Sequence, residues 1–210
     1  MANLTDLTSK EFLTELASAA PAPGGGGGAA MAGALAAALS SMVCNLTLGK
    51  EKFAAQEAEV QSVLTKAERA RERLLELVQE DAAVFNSFMS CYKLPKATDE
   101  EKAVRTAAIR AAAKKAAEVP LAIARESFVV LKLADELVVC GNPGVITDGA
   151  CSGLLARAAL RCAEYNVRIN LGLTKDAEWN AQVQAELEAM LTQAEALEAK
   201  LLAVTDKALA

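Results

Sequence analysis

Apolar positions recur at helical spacing along almost the whole chain. Thr8-Ser-Lys-Glu11 has the form of a capping box, and Phe12, Leu13, Leu16 and Ala17 follow it on one face, predicting a short helix that ends near Ala19. Pro21-Ala-Pro23 and the glycines Gly24–Gly28 interrupt the pattern. From Ala29 to about Leu48 almost every position is small or apolar, predicting a helix buried on all sides at the centre of the fold. Its length would admit a membrane span, but alanine is nearly neutral for insertion, and Ser40, Ser41 and Asn45 interrupt the apolar surface. Gly49-Lys50 closes that helix, and a long amphipathic one runs from about Ala55 to Tyr92. A turn at Leu94-Pro95-Lys96 leads to a second capping box, Thr98-Asp-Glu-Glu101, which opens a helix towards Val139 with a kink or break at Pro120. After the turn Gly141–Gly144, Thr147 or Asp148 caps a helix to about Asn170. Gly172–Asp176 then joins a last helix ending near Lys207.

Long helices and short turns predict an all-α fold, an antiparallel bundle forming one domain over residues 1–210. Helices approaching 40 residues would be ~60 Å long at ~1.5 Å per residue, more than a small monomer needs. Part of their apolar surface is therefore expected to lie against a second subunit.

Composition narrows the chemistry. Alanine fills 46 of 210 positions, aromatic residues are 4%, and histidine is absent. Without histidine there is no Ser-His-Asp or Cys-His pair, no HExxH zinc site and no imidazole shuttle. Acid–base work falls to Asp, Glu, Lys, Cys, Tyr or bound water. A net charge of −5, from 22 basic and 27 acidic residues spread along the chain, argues against nucleic acid or an anionic membrane as partner. The five cysteines, Cys44, Cys91, Cys140, Cys151 and Cys162, form no CxxC pair, and their odd number precludes complete internal pairing. With no secretory leader visible at Met1, they read as reduced, mostly buried thiols of a cytoplasmic protein.

The glycine run follows no strand and precedes no Gly-Lys-Ser/Thr, so dinucleotide-fold and phosphate-loop readings fail. What remains is a loop free of side chains entering a helix N-terminus. It is either a plain turn or a place where unpaired N–H groups meet a carboxylate, a carbonyl oxygen or a developing oxyanion. Asn45 reads as an amide buried in the apolar helix, Lys50 as a cation at its end, and Asp148 as a helix cap. Asp81 interrupts an apolar segment beside Phe85 and Phe88, where burial would raise its pKa and suit it to proton transfer. Lys93 and Lys96 flank the Pro95 turn, either as ordinary surface cations, the commoner role, or in reach of an anionic ligand.

Taken in order, Pro21-Ala-Pro-Gly-Gly-Gly26, Met42-Val-Cys-Asn45-Leu-Thr-Leu-Gly-Lys50, Asp81 with Phe85, Tyr92-Lys-Leu-Pro-Lys96, Glu100-Glu-Lys102, Val119-Pro-Leu121, Gly141-Asn142, Thr147-Asp148 and Asn166-Val-Arg-Ile-Asn-Leu171 resemble the cyclodeaminase/cyclohydrolase family over nearly the whole chain. The resemblance implies an all-helical homodimer with a tetrahydrofolate derivative bound at or near the subunit contact. It implies no metal and no cofactor beyond that substrate. The implied activity is hydrolysis of 5,10-methenyltetrahydrofolate to the 10-formyl compound. The alternatives are ammonia-releasing ring closure of 5-formiminotetrahydrofolate and a catalytically silent folate-binding protein. On this resemblance Asp81 and Asp148 are expected to act as acid/base or water-positioning groups. Lys50 and Lys93 would steer folate carboxylates or polarise the reacting carbon. Gly24, Gly25, Gly26, Gly27, Asn45 and Asn142 would hold the ligand. The family usually carries serine or threonine where this chain has Gly27, and commonly alanine where it has Gly149.

Overall fold

The computed structural model describes residues 3–210; the expectation that no leader begins at Met1 lies outside them. Among the described residues the chain forms six α-helices: α1 (Ser9–Leu16), α2 (Gly25–Asn45), α3 (Glu57–Cys91), α4 (Asp99–Cys140), α5 (Ile146–Thr174) and α6 (Ala177–Leu209), with 3-10 turns at Leu4–Asp6, Glu51–Gln56 and Pro143–Val145. Both capping boxes form as the sequence predicts, Thr8 with Glu11 and Thr98 with Glu101. At 42 residues, α4 is roughly 63 Å long, given a rise of ~1.5 Å per residue.

α2 sits between α3 and α5 and rests on α4, while α6 covers the far side of α4 and α5. Small side chains permit this close approach. Ala30, Ala36 and Ala37 are fully buried, and a Cβ added at Gly33 would stand 3.0 Å from Ser127 Oγ and 3.1 Å from Leu74 Cδ2. Leu74, Leu77, Ile123, Leu131, Leu160 and Leu187 fill the core around it. Although α2 is long and apolar enough to cross a membrane, three neighbouring helices occupy its sides.

Several local expectations are corrected. α1 stops at Leu16, short of Ala19. α2 begins at Gly25, not Ala29, so the glycine run is a helical turn and only Gly24 remains extended as its N-cap. Each helical glycine costs ~1 kcal/mol relative to alanine. At Gly26 that cost is unavoidable, because an added Cβ would run into the Asp81 carboxylate of α3. α2 is also not buried all round: Leu35 is 55% and Met42 42% exposed on its outer face. Asn45, the last residue of α2, is exposed too, not a buried amide tying helices together.

Pro120 neither breaks nor ends α4. Its missing N–H would leave the Ala116 carbonyl without a helical partner, and Asn170 Nδ2 of α5 supplies one at 2.8 Å. α5 starts at Ile146, which puts Asp148 inside the first turn and makes Val145 the N-cap; the carboxylate faces the helix dipole instead of capping it. α5 runs on to Thr174, and Asp176 caps α6 through Trp179 N–H. Of the cysteines only Cys44 is buried, where desolvation pushes its thiol up to about 12, while Cys151 and Cys162 are exposed on α5.

Candidate active site

The N-terminal turn of α2 meets the middle of α3. Gly27 N–H donates to Asp81 Oδ2 at 2.9 Å, so a helix N-terminus and a carboxylate share one hydrogen bond. Asp81 lies in the wall of a cleft of about 320 Å³. Gly24–Gly26 form one side, Val84, Phe85 and Phe88 of α3 another, and Val119, Pro120, Asn166, Ile169, Asn170 and Leu173 close it from α4 and α5. Burial pushes the Asp81 carboxyl above its ordinary range, and the Gly27 N–H bond only partly opposes this. Its second oxygen is free of protein partners among the described residues. The cleft therefore offers a half-desolvated carboxylate whose proton affinity is raised, set in a largely apolar wall with no lysine or arginine in its lining among the described residues.

The glycines have distinct reasons. A Cβ at Gly26 would run into the Asp81 carboxylate, whereas one at Gly27 would make ordinary contacts, with Pro23 Cβ at 3.4 Å and with Asp81 Oδ2 and Val78 O at 3.8 Å. Gly26→Ala is thus expected to displace Asp81, lowering turnover more than tenfold and stability by ~1–3 kcal/mol. Gly27→Ser is expected to fold with an unchanged or higher melting temperature and to keep turnover, its hydroxyl within reach of Asp81. Thermal melts and steady-state kinetics on the two variants check the contrast, and equal damage from both would refute it.

The other residues singled out in the sequence divide between two ends of the bundle. Gly24, Gly25 and Gly26 line the cleft and Gly27 holds Asp81. Lys93 lies in the exposed turn beyond α3 and does not line the cleft. Asn45, Lys50, Asn142 and Asp148 gather at the opposite end of α2, roughly 27 Å from Gly27 at ~1.5 Å per helical residue. There Asn142 stitches the end of α2 to the start of α5: its N–H donates to Thr47 Oγ1 at 2.9 Å, its Nδ2 to Leu46 O at 3.0 Å, and its Oδ1 accepts Gly144 N–H at 3.0 Å. Asn45 borders a shallow groove with Met42, Glu68 and Arg71. Lys50 stands exposed past Gly49, whose φ of +70° turns the chain out of the helix.

Asn166 and Asn170 line the cleft, yet the sequence assigned them no role. Two asparagines four residues apart on an otherwise apolar helical face, one of them opposite an in-helix proline, are the signal that points to them.

The sequence and the helical fold have counterparts among known proteins. The family model described as formiminotransferase-cyclodeaminase matches residues 8–189. The chain belongs to this family. It is 45% identical over 190 residues to a methenyltetrahydrofolate cyclohydrolase from Methylorubrum extorquens, covering 90% of this chain and 91% of that protein. It is 33% identical over 185 residues to the formimidoyltransferase-cyclodeaminase of Sus scrofa, covering 88% of this chain but only 34% of that one. The crystal structure of a formiminotetrahydrofolate cyclodeaminase from Thermotoga maritima superposes with a TM-score of 0.88 at 28% identity, over 99% of this chain and all of the other.

Proposed function

We propose that this chain is a methenyltetrahydrofolate cyclohydrolase whose reaction takes place at the Asp81 cleft. The observation that carries the proposal is the 45% identity to a cyclohydrolase across nine-tenths of both chains. Its formimidoyltransferase-cyclodeaminase relatives are more distant and about two and a half times as long. The cleft suits a cationic, flat substrate. The methenyl bridge carries a positive charge, and among the described residues Asp81 is the only charged side chain in the lining.

In this reading the free oxygen of Asp81 takes a proton from a water as its oxygen bonds to the bridge carbon, giving a tetrahedral carbinolamine. The hydroxyl proton then leaves, the carbon–N5 bond breaks with its electron pair on N5, and N5 takes the proton held by Asp81. One water is consumed and one proton released, leaving a neutral 10-formyl product. No cofactor beyond the tetrahydrofolate substrate enters, and a protein of this kind belongs in the cytoplasm with its substrate.

The two separated clusters become one site if the protein is a homodimer. Leu35 and Met42 on α2 and Leu154, Tyr165 and Ile169 on α5 are large, apolar and exposed, and the two helices pack side by side, so these residues form one face. Cys151 and Cys162 lie on the same side of α5. A two-fold axis crossing α2 at Ala38, between Leu35 and Met42, sets the helix antiparallel against its copy. Lys50 lies twelve positions after Ala38 and Gly26 twelve before it. This register carries the segment that follows the partner's α2, with the partner's Lys50, towards the glycine turn. There the lysine supplies the cation that the cleft lacks, placed to hold the carbinolamine oxygen.

Ammonia release separates this reading from the cyclodeaminase one, which the Thermotoga maritima structure favours. Offered 5-formiminotetrahydrofolate, the purified chain is expected to release ammonia no faster than the Asp81→Asn variant does. Rapid, Asp81-dependent release would instead make it a cyclodeaminase.

A further inference from the structure

The hydrogen-bonding character of the cleft is one-sided, and two asparagines make it so. Asn170 Nδ2 donates both its hydrogens to main-chain carbonyls, to Ala116 O at 2.8 Å and to Asn166 O at 2.9 Å. The first of these carbonyls is the one that Pro120 leaves without a helical donor, so the backbone of α4 fixes which way the amide faces. Turning it over would set Oδ1 against two carbonyl oxygens. Asn166 Nδ2 likewise donates to Cys162 O at 2.8 Å. Neither Oδ1 accepts a hydrogen bond from a described residue, both residues are only partly buried, and both line the cleft. With the free oxygen of Asp81, the side chains of the wall thus present acceptors, flanked by the apolar Phe85, Ile169 and Leu173.

We infer that Asn166 and Asn170 are specificity-determining residues that read the N–H edge of the ligand's fused ring. A tetrahydropterin carries its donors, the exocyclic 2-amino group and adjoining ring N–H, along its pyrimidine edge. The two amide oxygens accept from that edge. With the pyrimidine end held there, the one-carbon bridge at the other end of the ring lies towards Asp81. An acceptor wall rejects a ring without those donors, because its oxygens would then be left desolvated and unpaired. This inference rests on the folate reading of the cleft.

The test compares binding of tetrahydrofolate with that of its analogue in which methyl replaces the 2-amino group, by titration calorimetry on the whole chain. The wild type is expected to bind the parent at least tenfold more tightly than the analogue. Asn166→Ala removes only a bond within its own helix. It is expected to weaken the parent about tenfold or more and the analogue less than twofold. Asn170→Ser, which keeps a hydroxyl donor for Ala116 O, is expected to show the same selective loss. A purely structural role would weaken both ligands alike. Equal weakening, or none, in the Asn166→Ala protein overturns the inference even if Asn170→Ser fails to fold. Failure of the wild type to bind tetrahydrofolate at all would instead overturn the folate reading of the cleft, and this inference with it.

Discussion

Asp81→Asn is expected to lower turnover of 5,10-methenyltetrahydrofolate by roughly 10²–10⁴, the usual range for removing a general base, without unfolding the protein. The amide oxygen of asparagine can still accept the Gly27 N–H bond, so the glycine turn keeps its partner. What disappears is the group able to take a proton from water. Stability should respond in the opposite direction. Burial raises the pKa of Asp81 in the folded chain above its unfolded value, so the folded state binds the proton more tightly. The resulting stabilisation is complete below the unfolded pKa and is lost as pH rises through the folded one. At neutral pH the ionised, half-desolvated carboxylate is therefore a cost that asparagine does not carry. Thermal melts at neutral pH should show the variant as stable as the wild type or more so. The acid limb of the wild-type kcat/KM profile should lie above the ordinary carboxylate range and be missing from the variant's residual activity. Turnover within threefold of wild type would remove Asp81 from the chemistry.

Mixing two inactive variants should restore activity. If Asp81 of one chain works with the partner's Lys50, Asp81→Asn and Lys50→Ala each spoil both sites of their own homodimer. Unfolding and refolding an equal mixture makes about half the dimers mixed. Each mixed dimer holds one site with both residues intact and one with neither. About a quarter of wild-type activity is then expected from two preparations that are each nearly inactive, because this isologous pairing fixes how sites divide among chains. A site contained within one chain gives no recovery: the mixture would show only the mean of its components. The measurement also tests the two-fold register, since a dimer that left Lys50 far from the glycine turn would lower neither activity through Lys50 nor recover it on mixing.

The helices were legible in the sequence because their signals are local. Two capping boxes, the 3.6-residue apolar period and the turns at Pro95 and Gly141–Gly144 act within a few residues of one another, and each formed where the pattern put it. The helical state of the glycine run was not legible because its partner is distant: Asp81 lies 54 residues from Gly27 along the chain, accepts its N–H, and leaves room only for glycine at position 26. Pro120 misled for a related reason. Local rules end a helix there, and the asparagine that rescues the freed carbonyl lies 54 residues further on. Asn45 and Lys50 share an uninterrupted motif with α2, which hid their distance from Asp81, because a 21-residue helix separates its two ends by about its full length. Asp81 itself was legible, as a lone carboxylate on an apolar helical face beside Phe85 and Phe88.

The most direct test is to incubate the purified chain with 5,10-methenyltetrahydrofolate and follow the methenyl absorbance, with the product identified by chromatography. Absorbance should fall far faster than the spontaneous hydrolysis rate, in proportion to protein concentration, with 10-formyltetrahydrofolate accumulating in equal amount. Decay at the spontaneous rate, from protein that is folded and binds the substrate, would contradict the assignment.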